Sequence, residues 1–159
     1  MASRVVTGPY ASAGPYEDDA GDSYDVRLER VPGGVRLAEW ASGQIRRRAP
    51  VLATSGLSDL VAAVSEREVL GAPDAEKLAA AACTEPGDER ATHGASRGRA
   101  GDMQEELRVE RLDDGRVRIA RWILRPGAGW ELQEAPVMLP VARYAEALRA
   151  AAAAGVLSG

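Results

Sequence analysis

Apolar residues fall at every second position in two stretches of this chain. The first is Val26-Arg-Leu-Glu-Arg-Val-Pro-Gly-Gly-Val-Arg-Leu-Ala-Glu-Trp40, and the second is Leu107-Arg-Val-Glu-Arg-Leu-Asp-Asp-Gly-Arg-Val-Arg-Ile-Ala-Arg-Trp122. Alternation, a Gly-bearing turn and renewed alternation predict a β-hairpin in each. The likeness continues downstream, where Ala49-Pro-Val-Leu52 returns as Ala135-Pro-Val-Met138 and a helical pattern follows both times. The sequence therefore reads as a tandem duplication.

Residues 1–23 are rich in Gly, Ala, Ser, Pro and acidic residues without apolar periodicity, which predicts a disordered tail. A first repeat spans 24–70. Its hairpin turns at Pro32-Gly33-Gly34, and Ser42-Gly43 leads to a short third strand and a fourth. A helix then carries Leu57, Leu60, Val61 and Val64 on one stripe, with Ser55 at its N-cap. Residues 71–104 are turn-rich and polar around Cys83 to Arg99 and predict a flexible linker, with a helical piece over 74–82. The second repeat, 105–155, turns at Asp113-Asp114-Gly115. It closes with a helix over 141–154 striped by Tyr144, Ala147, Leu148 and Ala151 and stopped by Gly155. One repeat of about 50 residues is near the lower limit for an independent core. The expected fold class is α+β: two β-β-β-β-α repeats forming an intrachain pseudo-dimer, with further homo-oligomerisation left open.

Composition narrows the function. No apolar run approaches the roughly 18 residues that span a bilayer, so no membrane partner is expected. Residues 1–25 lack the layout of a signal peptide. The single cysteine, Cys83, fits a reducing cytoplasm. Arg far outnumbers Lys, of which Lys77 is the sole example, in keeping with a GC-rich bacterial genome. The formal charge is −4 but unevenly placed. Residues 1–23 set Arg4 against Glu17, Asp18, Asp19 and Asp22, a sum of −3. Residues 24–50 set six Arg against Asp25, Glu29 and Glu39, a sum of +3. Local patches, not the total, steer a charged ligand.

Each repeat resembles the single-stranded-DNA-binding domain of the transcriptional coactivator positive cofactor four. Val117-Arg-Ile-Ala-Arg-Trp122 matches that family's second strand. Arg125-Pro-Gly-Ala-Gly129 matches its connection, and the run from Val137 through Tyr144 to Leu148 matches its last strand and helix. Two such units in one chain are similar to the Whirly arrangement. The resemblance covers about 100 of the 159 residues. It implies four strands and a helix per unit and a role in transcription or genome maintenance. The family's Lys/Arg-Gly before the fourth strand is Arg48-Ala49 in the first repeat and Glu134-Ala135 in the second, so only the first keeps the basic character.

Nucleic-acid binding requires cations for phosphates and flat side chains for bases. If Val35, Leu37, Val117 and Ile119 face the helices, period-two geometry sends Arg36, Trp40, Arg118 and Trp122 to the open face, with Arg27 and Arg108 in the neighbouring strands. The alternative buries both Trp residues between the repeats and pairs the Arg with Glu29 and Glu110. Arg46, Arg47 and Arg48 contact phosphate or merely guard a strand edge. Arg125 and Trp130 lie in the Gly-rich connection, where Trp130 stacks on a base or closes a satellite core. Catalysis is not expected: His93 is the lone histidine, Cys83 has no structured partner, and no phosphate-binding Gly motif, cofactor or metal site is legible. The expectation is a cytoplasmic protein binding single-stranded DNA or RNA. The alternative is a protein-interaction module with the same fold and no nucleic-acid groove.

Overall fold

In the computed structural model, residues 10–87, 91–133 and 135–157 are described. The first part of the chain forms β1 (Tyr10–Glu17), β2 (Ser23–Val31), β3 (Gly34–Ala41), β4 (Gln44–Ile45), β5 (Val51–Leu52) and α1 (Thr54–Glu66). Next come α2 (Ala72–Ala82), β6 (His93–Ala100), β7 (Met103–Arg111), β8 (Val117–Leu124), β9 (Trp130–Gln133), β10 (Val137–Leu139) and α3 (Val141–Ala153). The class is α+β, with two antiparallel sheets and three helices. Five strands and a helix occur, and then, after α2, five strands and a helix again.

The two β-hairpins form where the alternating runs predict them. Ser42 and Gly43, both at positive φ (53° and 77°), close the two-residue loop between β3 and β4. This is the primed-turn geometry that matches strand twist, and Gly supplies it without a Cβ clash. Leu57, Leu60, Val61 and Val64 are buried on α1, and Tyr144, Ala147, Leu148 and Ala151 on α3. The first helix starts one residue before the expected cap: Ala53 is its N-cap, Ser55 lies in the first turn, and no side chain caps it.

The sheets are not built one per repeat. The first has the order β1-β2-β3-β10, with β4 also on β3; the second has β5-β8-β7-β6, with β9 also on β8. Thus β5 leaves the first hairpin to pair with β8, and β10 crosses back to pair with β3. All three helices and the apolar faces of both sheets enclose a single core. Its centre joins Leu28 and Leu37 of one sheet to Val109 and Ile119 of the other through Leu60, Leu78 and Leu148.

Strand exchange also corrects the alignment of the repeats. Leu52 pairs with Val117, and the residue opposite Val35, the counterpart of Val117, is Leu139. The structural equivalent of Leu52 is therefore Leu139, one residue beyond the Met138 that the sequence match suggests. A one-residue slip would turn the strand over, because side chains alternate with period two.

Two segments expected to lack structure carry it. The expected tail over 1–23 holds β1, with residues 1–9 outside the described range. The expected linker over 71–104 holds α2, which takes in the helical piece expected over 74–82, and also the unannounced β6. Their inward residues are small. Ala11 and Ala13 on β1, and Gly94 and Ser96 on β6, are all buried. A Cβ on Gly94 would collide with the Ala151 backbone, so α3 lies directly on that strand. Such positions carry almost no hydropathy signal, and backbone pairing with β2 and β7 supplies the stabilisation instead. The units that result are longer than four strands and a helix.

Candidate functional site

Val26, Leu28, Val35 and Leu37 point into the core, so Asp25, Arg27, Glu29, Arg36, Ala38 and Trp40 occupy the outer face of the first sheet. Glu29 sits opposite Arg36. Its Oε1 accepts the Arg36 Nε–H at 3.0 Å and the Trp40 indole N–H at 3.2 Å. Arg27 donates to Asp25 at 2.7 Å. The Arg27 guanidinium also stacks on Tyr10 and Trp40, 4.3 and 4.7 Å from the ring centres. Ala38, directly opposite Arg27 and fully buried, leaves room for that side chain to lie flat.

The second sheet repeats the arrangement residue for residue. Glu110 Oε1 accepts Trp122 Nε1–H at 3.0 Å and Arg118 Nε–H at 3.2 Å. Arg108 donates to Glu106 at 2.8 Å, over the buried Ala120. Its guanidinium lies 4.5 Å from the Trp122 ring and 5.1 Å from that of Trp130. One flanking aromatic thus comes from a different place in each sheet: Tyr10 from β1, Trp130 from β9. Arg97 of β6 adds a second ion pair to Glu106 at 2.7 Å.

Both Trp40 and Trp122 are half-buried, and neither belongs to the core. They are covered by arginines of their own sheet, not by the other repeat. The cross-strand ion pairs are present, but Arg27 and Arg108 use Asp25 and Glu106 rather than Glu29 and Glu110.

The basic run divides. Arg46 and Arg48 converge on Glu39, a carboxylate only 2% exposed, with Arg48 Nε donating at 2.7 Å. Arg46 also reaches Asp18 at 2.9 Å. The backbone N–H of Asp22, then the Arg46 guanidinium and the Ala20 N–H, hold the Asp18 carboxyl below the usual carboxylate range. Arg47 is exposed. The equivalent inner end of the second sheet holds Glu105 between Arg121 Nε at 2.8 Å and Arg143 Nη1 at 2.7 Å. Burial pushes the Glu105 carboxyl up, and the hydrogen bonds and charges of Arg143 and Arg121 more than reverse it, leaving it low. Arg125 is exposed and pairs with Glu131 at 2.5 Å. A cleft of about 320 Å³, lined by Asp18, Asp19, Tyr24, Glu39, Arg48 and Arg116, opens where the acidic β1–β2 turn meets the second half.

Tyr10, Asp25, Arg97, Glu106 and Arg99 belong to these faces and were not singled out from sequence. Asp25 and Glu106 stand two residues before Arg27 and Arg108 in both hairpins, a repeated spacing that points to them. Tyr10 and Arg97 lie on the two strands that the sequence does not announce.

Elsewhere, His93 Nδ1 lies 3.3 Å from the Thr92 hydroxyl, and Cys83 is exposed at the end of α2. Among the described residues no three His, Cys, Asp or Glu side chains are placed to hold a metal ion. No helix there is long and apolar enough to cross a membrane. Comparison of the chain with protein-family models, curated proteins and solved structures finds no match.

Proposed function

We propose that this chain is a non-enzymatic protein-interaction module, a fused pseudo-dimer whose two halves exchange β5 and β10 and which lacks a nucleic-acid groove. One observation carries the reading. At equivalent positions of both sheets, a single carboxylate, Glu29 or Glu110, takes up both the outward guanidinium and the Trp indole N–H. A nucleobase gains about 1–3 kcal/mol by stacking on an aromatic ring. Freeing that ring from its arginine gives up a cation–π contact of about 0.5–2 kcal/mol. The charged hydrogen bond to glutamate is worth about 1.5–3 kcal/mol more. Occupied in this way, the platforms offer a base little net gain. Arg46 and Arg48, the first repeat's basic run, are likewise held by Glu39 and Asp18.

A second reading, single-stranded DNA or RNA binding in a transcription- or genome-related role, draws on the second sheet, where exposed Arg97 and Arg99 of β6 share an outer face with Trp122 of β8 and Trp130 of β9. Anisotropy of a labelled single-stranded oligonucleotide at about 50 mM salt separates the two, since phosphate contacts are strongest in low salt. The interaction module is expected to leave the oligonucleotide free. Saturable, salt-sensitive binding abolished by Trp122→Ala would establish the nucleic-acid reading instead.

A further inference from the structure

We propose that the free edge of β6 is a docking rail for an extended acidic segment of a partner protein, added as a further antiparallel or parallel strand. The inference rests on the protein-interaction reading and names its surface. An edge strand presents every second N–H and C=O to whatever strand comes alongside, and β-strand addition uses those groups for affinity. The edges of this molecule differ. At the far ends of the sheets β4, β5, β9 and β10 run for only two to four residues. At the near end of the first sheet, β1 is interrupted by Pro15, which has no N–H, and by a bulge between Ala13 and Tyr16. Its counterpart β6 is eight residues long, contains no proline, and pairs in unbroken register with β7 from His93 to Ala100. Among the described residues no strand lies on its other side.

Charge selects the occupant. Outward side chains on β2 and β3 balance, Arg27 and Arg36 against Asp25 and Glu29. On β6, β7 and β8, Arg97, Arg99, Arg108 and Arg118 stand against Glu106 and Glu110, a surplus of two positive charges. That surplus sits on the edge itself. The Arg97 side chain is 82% exposed while its Nε is fixed by Glu106, and Arg99, two residues on and on the same face, is exposed. A neighbouring strand with carboxylates at alternate positions meets both. Charged residues on an edge also serve to repel unwanted strands. Here they repel a second copy, whose own Arg97 and Arg99 would approach, and they admit an acidic strand.

The probe is a labelled peptide of about ten residues alternating Glu with Thr, long enough to run beside the whole strand at about 3.3 Å per residue. Binding is expected at low salt, weakening as salt is added, with slowed amide exchange confined to β6. The R97Q/R99Q double variant, which removes both edge charges without setting a carboxylate beside the buried Glu106, is expected to weaken binding at least tenfold, with its unfolding midpoint measured alongside. A peptide with Pro at alternate positions is expected to fail, because it lacks the N–H donors. Binding untouched by the double variant, or without protection of β6, overturns the proposal. So does a dimer seen by sedimentation that R99E dissociates, which gives the edge to a second copy. If neither peptide nor oligonucleotide binds, the rail alone falls; if the oligonucleotide displaces the peptide, the interaction-module reading falls with it.

Discussion

The outer faces of the two sheets are nearly the same, and their inner ends are not. Outside, Asp25, Arg27, Glu29, Arg36, Ala38 and Trp40 correspond one for one with Glu106, Arg108, Glu110, Arg118, Ala120 and Trp122. Inside, Tyr24 corresponds to Glu105, Glu39 to Arg121, Tyr16 to Gly98 and Gly56 to Arg143. In the first half a tyrosine from the strand fills the space over a helix glycine, since a Cβ on Gly56 would strike the Tyr16 hydroxyl. In the second half the arrangement is inverted: the arginine from the helix covers a strand glycine, and a Cβ on Gly98 would lie 2.8 Å from the Arg143 guanidinium. Space is filled by the site, not by the position. A packing requirement can change supplier where one side chain has several neighbours able to compensate. The outer network has kept its residues position by position, with one carboxylate answering to the same two donors in each sheet.

The sharpest way to break the comparison is at Glu105. Glu105→Gln leaves the partly exposed Arg121 and Arg143 without their shared counter-ion, and a loss of about 1.5–3 kcal/mol is expected from denaturant unfolding. Tyr24→Phe at the equivalent position is expected to cost well under about 1 kcal/mol, since Tyr24 contributes mainly a ring. Next come the small strand positions. Gly94→Ala forces a methyl group onto the Ala151 backbone and is expected to cost about 1–3 kcal/mol. At the equivalent site Ala11→Gly only loosens β1, by about 0.5–1 kcal/mol. Glu29→Gln and Glu110→Gln sharpen the likeness of the outer faces: each is expected to lower stability by about 1–2 kcal/mol, and by similar amounts. A large difference between them would show that the two networks are alike only in outline.

The smallest effect is in acid. The folded-state pKa of Glu105 lies below its ordinary value, so the unfolded chain takes up a proton first as pH falls. The stability due to Glu105 is therefore complete above the ordinary carboxylate range and lost as pH drops through the folded value. Thermal melts between about pH 6 and pH 3 are expected to show a steeper acid decline in the parent than in Glu105→Gln.

The parts legible in the sequence are those whose signal is local. Both hairpins, their inward and outward faces, and the stripes of α1 and α3 follow from period and turn chemistry. β1 and β6 escape because Ala11, Ala13, Gly94 and Ser96 are too small to register as apolar alternation, although helix contact demands that smallness. The exchange of β5 and β10 escapes because pairing partners about 65 to 104 residues apart leave no local trace. For the candidate site, the sequence places Arg27, Arg36, Trp40, Arg108, Arg118 and Trp122 together correctly on their faces. It also offers Glu29 and Glu110 as partners, which Arg36 and Arg118 use, but not the indole N–H bonds to the same carboxylates, nor Asp25 and Glu106 as the partners of Arg27 and Arg108.

Strand exchange has a consequence for how the polypeptide comes into being. As the chain emerges during translation, the edge of β3 that receives β10 is complete long before residues 137–139 have been made. The first sheet waits, open along that edge, until residues 137–139 follow. Assembly of the sheet around β2 and β3 is thereby tied to synthesis of β10, and a chain released before β10 lacks a strand in the part made long before. Conversely, cutting the finished protein between α2 and β6 would not set two halves free. Each fragment would still hold a strand in the other's sheet, so the two are expected to co-purify after proteolysis and to recombine from separately expressed pieces.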